Sequence, residues 1–214
     1  GVRDLCDKKG IILIFDECTS GFRETFGGIH LKYGVNPDMA MFGKALGNGY
    51  AITAILGKKN IMQSAQSTFI SSTFWTERIG PTAALKTLEI MNKNSTWKDI
   101  SKKGKYMREK LLELSKINDL EIKLNGISSL ISYQFKSNEN LKYKTFVTQE
   151  MLKKGYLASN LCYISTAHTF NLIDKFIEDL DDIFKVIKKC ETGIQDINML
   201  LEYECCHSGF KRLN

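Results

Sequence analysis

Residues Ile11 to Ala51 read IILIFDECTSGFRETFGGIHLKYGVNPDMAMFGKALGNGYA. An unbroken apolar run, Ile11 to Phe15, ends in the acid Asp16. A second short run, Asp38 to Phe42, leads into Gly43 and Lys44. Five apolar residues without a polar interruption predict a parallel strand covered on both faces. In open α/β sheets, ligands bind outside the carboxyl ends of the strands. Two readings of each residue stay open on spacing alone. Asp16 either holds a cationic partner or caps the turn after its strand. Lys44 sits beside Gly43, Gly47 and Gly49, which let backbone approach a ligand closely. It either loses part of its charge by desolvation, which makes its amine nucleophilic, or is an ordinary surface lysine.

Outward from this stretch, the first residues pattern as the back end of an amphipathic helix, with Val2, Leu5 and Cys6 on one face. Cys18 to Asn36 is glycine-rich and predicts loop and short turns. Ala51 to Leu56 predicts a third strand, closed by Gly57, and Lys59 to Gln66 a short helix. Phe69 to Arg78 reads FISSTFWTER, a hydroxyl-rich segment with two aromatic residues. Pro81 suits the first turn of a helix that carries Leu85, Leu88 and Met91. Ser95 is a candidate N-cap for the next helix, which runs to about Lys116 and buries Ile100, Tyr106, Leu111, Leu112 and Leu114.

Beyond that the pattern alternates. Strands are expected at Glu121 to Leu124, Leu130 to Phe135 and Tyr156 to Ile164, and a helix from Phe146 to Lys154 that stops at Gly155. Leu172, Ile173, Phe176, Ile177, Leu180, Ile183, Phe184 and Ile187 trace one stripe of a long amphipathic helix. The expected architecture is α/β: residues 1–91 as part of a mainly parallel large domain, and residues 92–214 as a smaller α+β domain.

With 43% apolar and 25% charged residues, the 214-residue chain has the composition of an ordinary globular protein. No run approaches the roughly 20 apolar residues of a membrane span, and no signal peptide is visible. The net charge of +6 is spread over helical faces, with Lys185, Lys188 and Lys189 near Asp181 and Asp182. That reads as solvated surface rather than a nucleic-acid patch, and is compatible with a small anionic ligand. Cysteines at 6, 18, 162, 190, 205 and 206 form no C-x-x-C pair, so free thiols in a reducing cytoplasm are expected. His30, His168 and His207 are isolated from one another, and no metal site is expected.

The ordered motifs IFDE-x3-GFR, GG, YGV-x-PD and GK-x2-G-x-G resemble the class III (subgroup II) pyridoxal-phosphate-dependent aminotransferases, and most closely the glutamate-1-semialdehyde aminomutase branch. Lys44 follows Asp16 by 28 positions, which fits that branch without a gap. The resemblance continues through Leu88-Glu89, weakens, and returns in the ending FKRLN. It implies fold type I and pyridoxal 5'-phosphate as cofactor.

It further implies that Lys44 carries the Schiff base and afterwards shuttles the proton, while Asp16 pairs with the pyridine nitrogen. Amino transfer would then run through ketimine and pyridoxamine forms of the cofactor. Cys18 stands where relatives usually place valine against the ring, and Thr19 where some place glutamine near the phenolic oxygen. Thr73, with Ser72 and Thr76 as neighbours, falls where a threonine of the partner subunit binds the cofactor phosphate. A homodimer acting on a small amino donor and acceptor follows.

Two departures stand out. The family's glycine-asparagine-proline run is replaced by TFWTERIGP (73–81), and its earlier half, with the phosphate loop and the stacking aromatic residue, does not precede Gly1. The chain is therefore read as the C-terminal part of such an enzyme. Ser165 to Thr169, where many members carry a carboxylate-binding arginine, has none. Amino transfer, aminomutation and a catalytically silent relative are the three readings. His168, Arg23, Arg78 and Trp75 are secondary candidates, each with a purely structural alternative.

Overall fold

The computed structural model describes residues 1–209. The FKRLN ending (210–214), where the family resemblance returns, lies outside the described residues. The chain divides into two compact units between Ile100 and Ser101. The division falls within a helix, whereas residue 92 lies in the last turn of the helix before it.

The first unit opens with α1 (Val2–Lys9), which ends at Gly10 in the left-handed conformation, φ 63°. Only Cys6 of its expected face is buried; Val2 and Leu5 are exposed. Strands β1 (Ile14–Asp16), β2 (Met39–Phe42) and β3 (Ala54–Gly57) form one sheet in that order. β1 and β2 run parallel, with Asp16 opposite Met41. β3 runs antiparallel to β2, so parallel pairing extends over the first two strands only. Alternation along β2 turns Ala40 and Phe42 inward, where they pack with Leu46, Ala84, Phe22, Ile52, Ala54 and Leu88.

Within this chain, Ile11 and Ile12 precede the strand and are exposed, and Ile14 is 50% exposed, while Phe15 turns toward the interior, beside His30. Past β3 come α2 (Lys59–Met62), a 3-10 turn (Gln63–Ser67) and α3 (Ile79–Asn94), with Pro81 in its first turn. Ser95 does not take the extended N-cap conformation. With φ 48° it is the left-handed stop of α3, directly before α4 (Thr96–Ile117). Leu85 on α3 and Leu112 on α4 are exposed, although both lie on the expected apolar stripes.

Asp38 ties this unit together. Its carboxylate accepts from Leu13 N (2.8 Å), Lys58 Nζ (2.7 Å) and Arg3 Nη1 (2.9 Å). These donors, the Leu13 amide first, hold the acid far below the usual carboxylate range. A depressed folded value stabilises the protein above the unfolded pKa of about 4, and the contribution declines as pH falls below it. Asp38→Asn is therefore expected to lower the thermal midpoint at pH 7, with the gap from wild type closing on acidification. A gap that widens in acid would contradict this assignment.

The second unit runs from Ser101. β4 (Ile122–Asn125), β5 (Leu130–Phe135) and β6 (Leu161–Tyr163) form an antiparallel sheet. α5 (Asn140–Lys153) starts six residues before Phe146, because the lysines of NLKYKT obscure the apolar repeat there. Thr169 caps α6 (Phe170–Glu191) by accepting from Leu172 N at 3.1 Å. The α6 stripe buries Ile173, Leu180, Ile183, Phe184 and Ile187, while Leu172 at its start is 42% exposed.

Phe184, Phe135 and Tyr133 meet ring to ring in this core, with centroids 5.2 to 6.2 Å apart. The Tyr133 hydroxyl is fully buried, with no hydrogen-bond partner among the described residues, and burial pushes its pKa up. Removing a buried unpartnered hydroxyl relieves desolvation. Tyr133→Phe is expected to be neutral or to stabilise by up to about 1 kcal/mol in a urea titration. A loss of that size would instead mean that the hydroxyl has a bound partner.

Candidate functional site

Asp16 closes β1, and Phe42, one residue beyond its parallel partner Met41, closes β2. The two strands thus end together, and the residues after them share one sheet edge. Gly43 is extended, with φ −167°, and lies close against Cys18: a Cβ built there would sit 3.6 Å from Cys18 Sγ. Lys44 then turns into the left-handed region, φ 42°, and begins a 3-10 turn (Lys44–Leu46). A non-glycine residue in that region costs about 1–3 kcal/mol, and such strain gathers at functional sites. Gly47 admits no side chain, since a Cβ would lie 2.1 Å from Tyr50 O.

This route brings the amine back over β1. Lys44 Nζ donates to Thr19 Oγ1 at 2.5 Å. Asp16 Oδ1 accepts from Cys18 N at 2.9 Å. That backbone bond, a side-chain bond to Cys18 and the nearby Lys44 charge lower the Asp16 pKa, so the carboxylate is ionised at neutral pH. The same carboxylate raises the Cys18 thiol, chiefly through their hydrogen bond. Asp16 and Lys44 are exposed, while Cys18 and Thr19 are half-buried between them. An anion, a neutral thiol, a hydroxyl and an amine therefore line one edge, all reachable from outside.

Asp16, Cys18, Thr19 and Lys44 are brought together. Thr73 is not: it lies on an exposed turn, and among the described residues no hydrogen bond joins it to the other four. Ser72 is spent locally, its Oγ accepting from Phe74 N at 3.2 Å. Phe69, Phe74 and Trp75 of the same segment are exposed. Arg23 reaches back to the loop, donating from Nε to Thr19 O at 2.7 Å. Arg78 lies at the start of α3, beside Tyr50 and Lys86. His168 belongs to the second unit, where Nδ1 accepts from Ser165 N at 2.9 Å. It lines an apolar cavity of about 450 Å³ with Tyr156, Leu161, Tyr163 and Phe176.

One group had no assigned role on sequence grounds. Glu17 is 2% exposed and accepts from Ser20 Oγ, Ile29 N (3.0 Å), His30 N (3.1 Å) and His30 Nδ1 (3.0 Å). Burial pushes its carboxyl up, but these bonds outweigh burial and leave the net shift downward. The D-E pair was visible in the sequence; two of its backbone donors come from residues 12 and 13 positions later, which no local pattern signals.

Comparison with known proteins bears on this edge. The family described as aminotransferase class-III matches residues 1–190. A 3-aminobutyryl-CoA aminotransferase of Cloacimonas acidaminovorans is 32% identical, the match covering 88% of this chain and 47% of that protein. A glutamate-1-semialdehyde 2,1-aminomutase of Thermodesulfovibrio yellowstonii is 33% identical over 86% of this chain and 47% of that protein. The chain spans about half the length of the curated relatives it matches. Among solved structures, the PLP internal aldimine form of the FumI protein of Sphingopyxis sp. MTA144 superposes with a TM-score of 0.80 at 25% identity, over 93% of this chain and 49% of that one.

Proposed function

The chain belongs to the class-III aminotransferase family, and from that premise we propose that its protein transfers amino groups with pyridoxal 5'-phosphate held between Asp16 and Lys44. The carrying observation is the edge itself: an ionised carboxylate and a primary amine at the carboxyl ends of two parallel strands. The donor set fits this cofactor, which needs an amine for its aldehyde and an anion for its protonated ring nitrogen. When bound, the cofactor supplies an electron sink for the carbon that bears the amino group.

The residues of this chain do the rest. Asp16, kept ionised by the Cys18 amide, holds the ring nitrogen protonated. Lys44 Nζ would take the proton from the amine-bearing carbon as a general base and, as the conjugate acid, deliver it across the nitrogen to the cofactor's former aldehyde carbon. Thr19, whose hydroxyl accepts from Lys44, orients that amine when it is free. This differs from the phenolic-oxygen role that the resemblance implies for Thr19. Cys18, protonated and polarizable, would fill the space beside the ring.

A second reading, intramolecular transfer by an aminomutase, is favoured by the 33% identical relative of that activity. The presence of both Lys44 and Asp16 speaks against a silent relative. An amino-donor screen of the intact protein separates the first two. New amine on a separate keto acid marks a transaminase, recovery of only an isomer of one substrate marks a mutase, and neither product rejects both.

A homodimer with Thr73 on the partner's cofactor phosphate is part of the proposal. It is supported by the exposed hydroxyls and aromatic residues of 69–76, which meet no site group within one chain. Mixing Lys44→Ala and Thr73→Ala proteins is expected to restore one wild-type site per mixed dimer. Activity no higher than either parent would reject the cross-subunit role. A cytoplasmic location is also proposed. Among the described residues no helix is long and apolar enough to cross a membrane, and the six cysteines are free.

A further inference from the structure

Neighbouring residues on a strand point to opposite faces. Where β1 ends, this sends Asp16 outward and Glu17 into the protein. Glu17 N donates to Met41 O at 2.8 Å, carrying the β1–β2 pairing one residue past the strand. The chain then turns at once, with Gly21 N donating to Glu17 O at 2.8 Å. Two of the contacts that shape the candidate site involve this turn. Cys18 N meets Asp16, and Thr19 Oγ1 meets Lys44.

The Glu17 side chain sits beneath the turn and binds it to a distant segment. Ser20 Oγ donates to it from the turn itself; Ile29 N, His30 N and His30 Nδ1 donate from the start of the 3-10 turn Ile29–Tyr33. Two glycines leave it room. A Cβ at Gly28 would lie 2.9 Å from Glu17 Oε1 and 2.3 Å from the His30 ring, and one at Gly21 would lie 2.7 Å from Glu17 O. A buried charge persists where several donors satisfy it, and such a cluster has a single geometry.

We propose that Glu17 is the positioning residue of this site: its buried carboxylate fixes the 17–21 turn and, through it, the placement of Asp16 and Thr19 toward the cofactor. The proposal rests on the cofactor reading above. Glu17 touches neither substrate nor cofactor and acts through its neighbours. Outer residues that orient ligating groups typically change affinity or activity by about 10–100-fold when altered.

The test compares the intact protein with Glu17→Gln, which keeps shape and removes charge, and with Ser20→Ala, which removes one donor. Circular dichroism and thermal midpoints report folding. Pyridoxal 5'-phosphate dissociation and the pH midpoint of the bound cofactor's absorbance report positioning. Folded Glu17→Gln is expected to release cofactor about 10–100-fold more readily, with a displaced pH midpoint. Ser20→Ala should move both readouts the same way by less. A folded Glu17→Gln with wild-type affinity and midpoint overturns the proposal, even if its thermal midpoint falls. Should Glu17→Gln not fold, Ser20→Ala decides: weaker binding with a displaced midpoint supports the role, and unchanged values overturn it. Borohydride trapping on wild type separates the two failures. If Lys44 takes no label, the cofactor reading fails; if it is labelled and the variants match wild type, only the role of Glu17 fails.

Discussion

Lys44→Ala is expected to leave a folded protein that no longer attaches pyridoxal 5'-phosphate covalently and has lost amino transfer by at least about 10²–10⁴-fold, the contribution of a positioned general base. The fold should survive because Lys44 is exposed and its side chain donates to Thr19, itself at the surface of the turn. Alanine inherits the left-handed backbone at φ 42°, so stability should change little. Lys44→Gly should be about 1 kcal/mol more stable than Lys44→Ala, because only glycine takes this conformation without Cβ strain. That difference tests the backbone separately from the chemistry. Lys44→Arg keeps a cation but cannot give up its proton near neutral pH, and should be as inactive as alanine. Retained turnover in all three variants would remove Lys44 from the reaction.

Asp16→Asn should lower the rate by about 10²–10³-fold, the usual effect of removing one preorganised electrostatic group. Asparagine retains an oxygen for the Cys18 amide, so the turn should keep its shape while the charge is lost. A second readout does not depend on turnover. Asp16 holds the Cys18 thiol above its ordinary pKa, mainly by hydrogen bonding to it. In Asp16→Asn that thiol should titrate at lower pH and react faster with a thiol reagent near neutrality. An unchanged Cys18 titration would mean that the two side chains do not meet as described.

How much of this could be read from the chain alone follows from how far apart the partners lie. Asp16 and Lys44 stand out because each follows an apolar run, but spacing alone leaves two readings of each, and the ordered family motifs favour one. The long stripe of α6 was legible because its repeat is local. What depended on distant partners was not. β1 reads as doubly covered, and what packs against Ile14, 50% exposed in this chain, is not encoded in the run itself. The antiparallel course of β3 depends on how the loop after Lys44 returns, which the apolar pattern of Ala51 to Leu56 does not encode. Ser95 carries a cap-forming side chain, but its backbone conformation makes it the end of one helix instead of the start of the next. Glu17 stands beside Asp16 in sequence, and its burial becomes evident only when residues 29 and 30 fold back onto it.

The central claim is that Lys44 is the amine that bonds the cofactor. Borohydride reduction of the intact protein with pyridoxal 5'-phosphate, followed by peptide mapping, tests it most directly. A phosphopyridoxyl group on Lys44 is the expected result, and the same group on a different lysine, or on none, would contradict it.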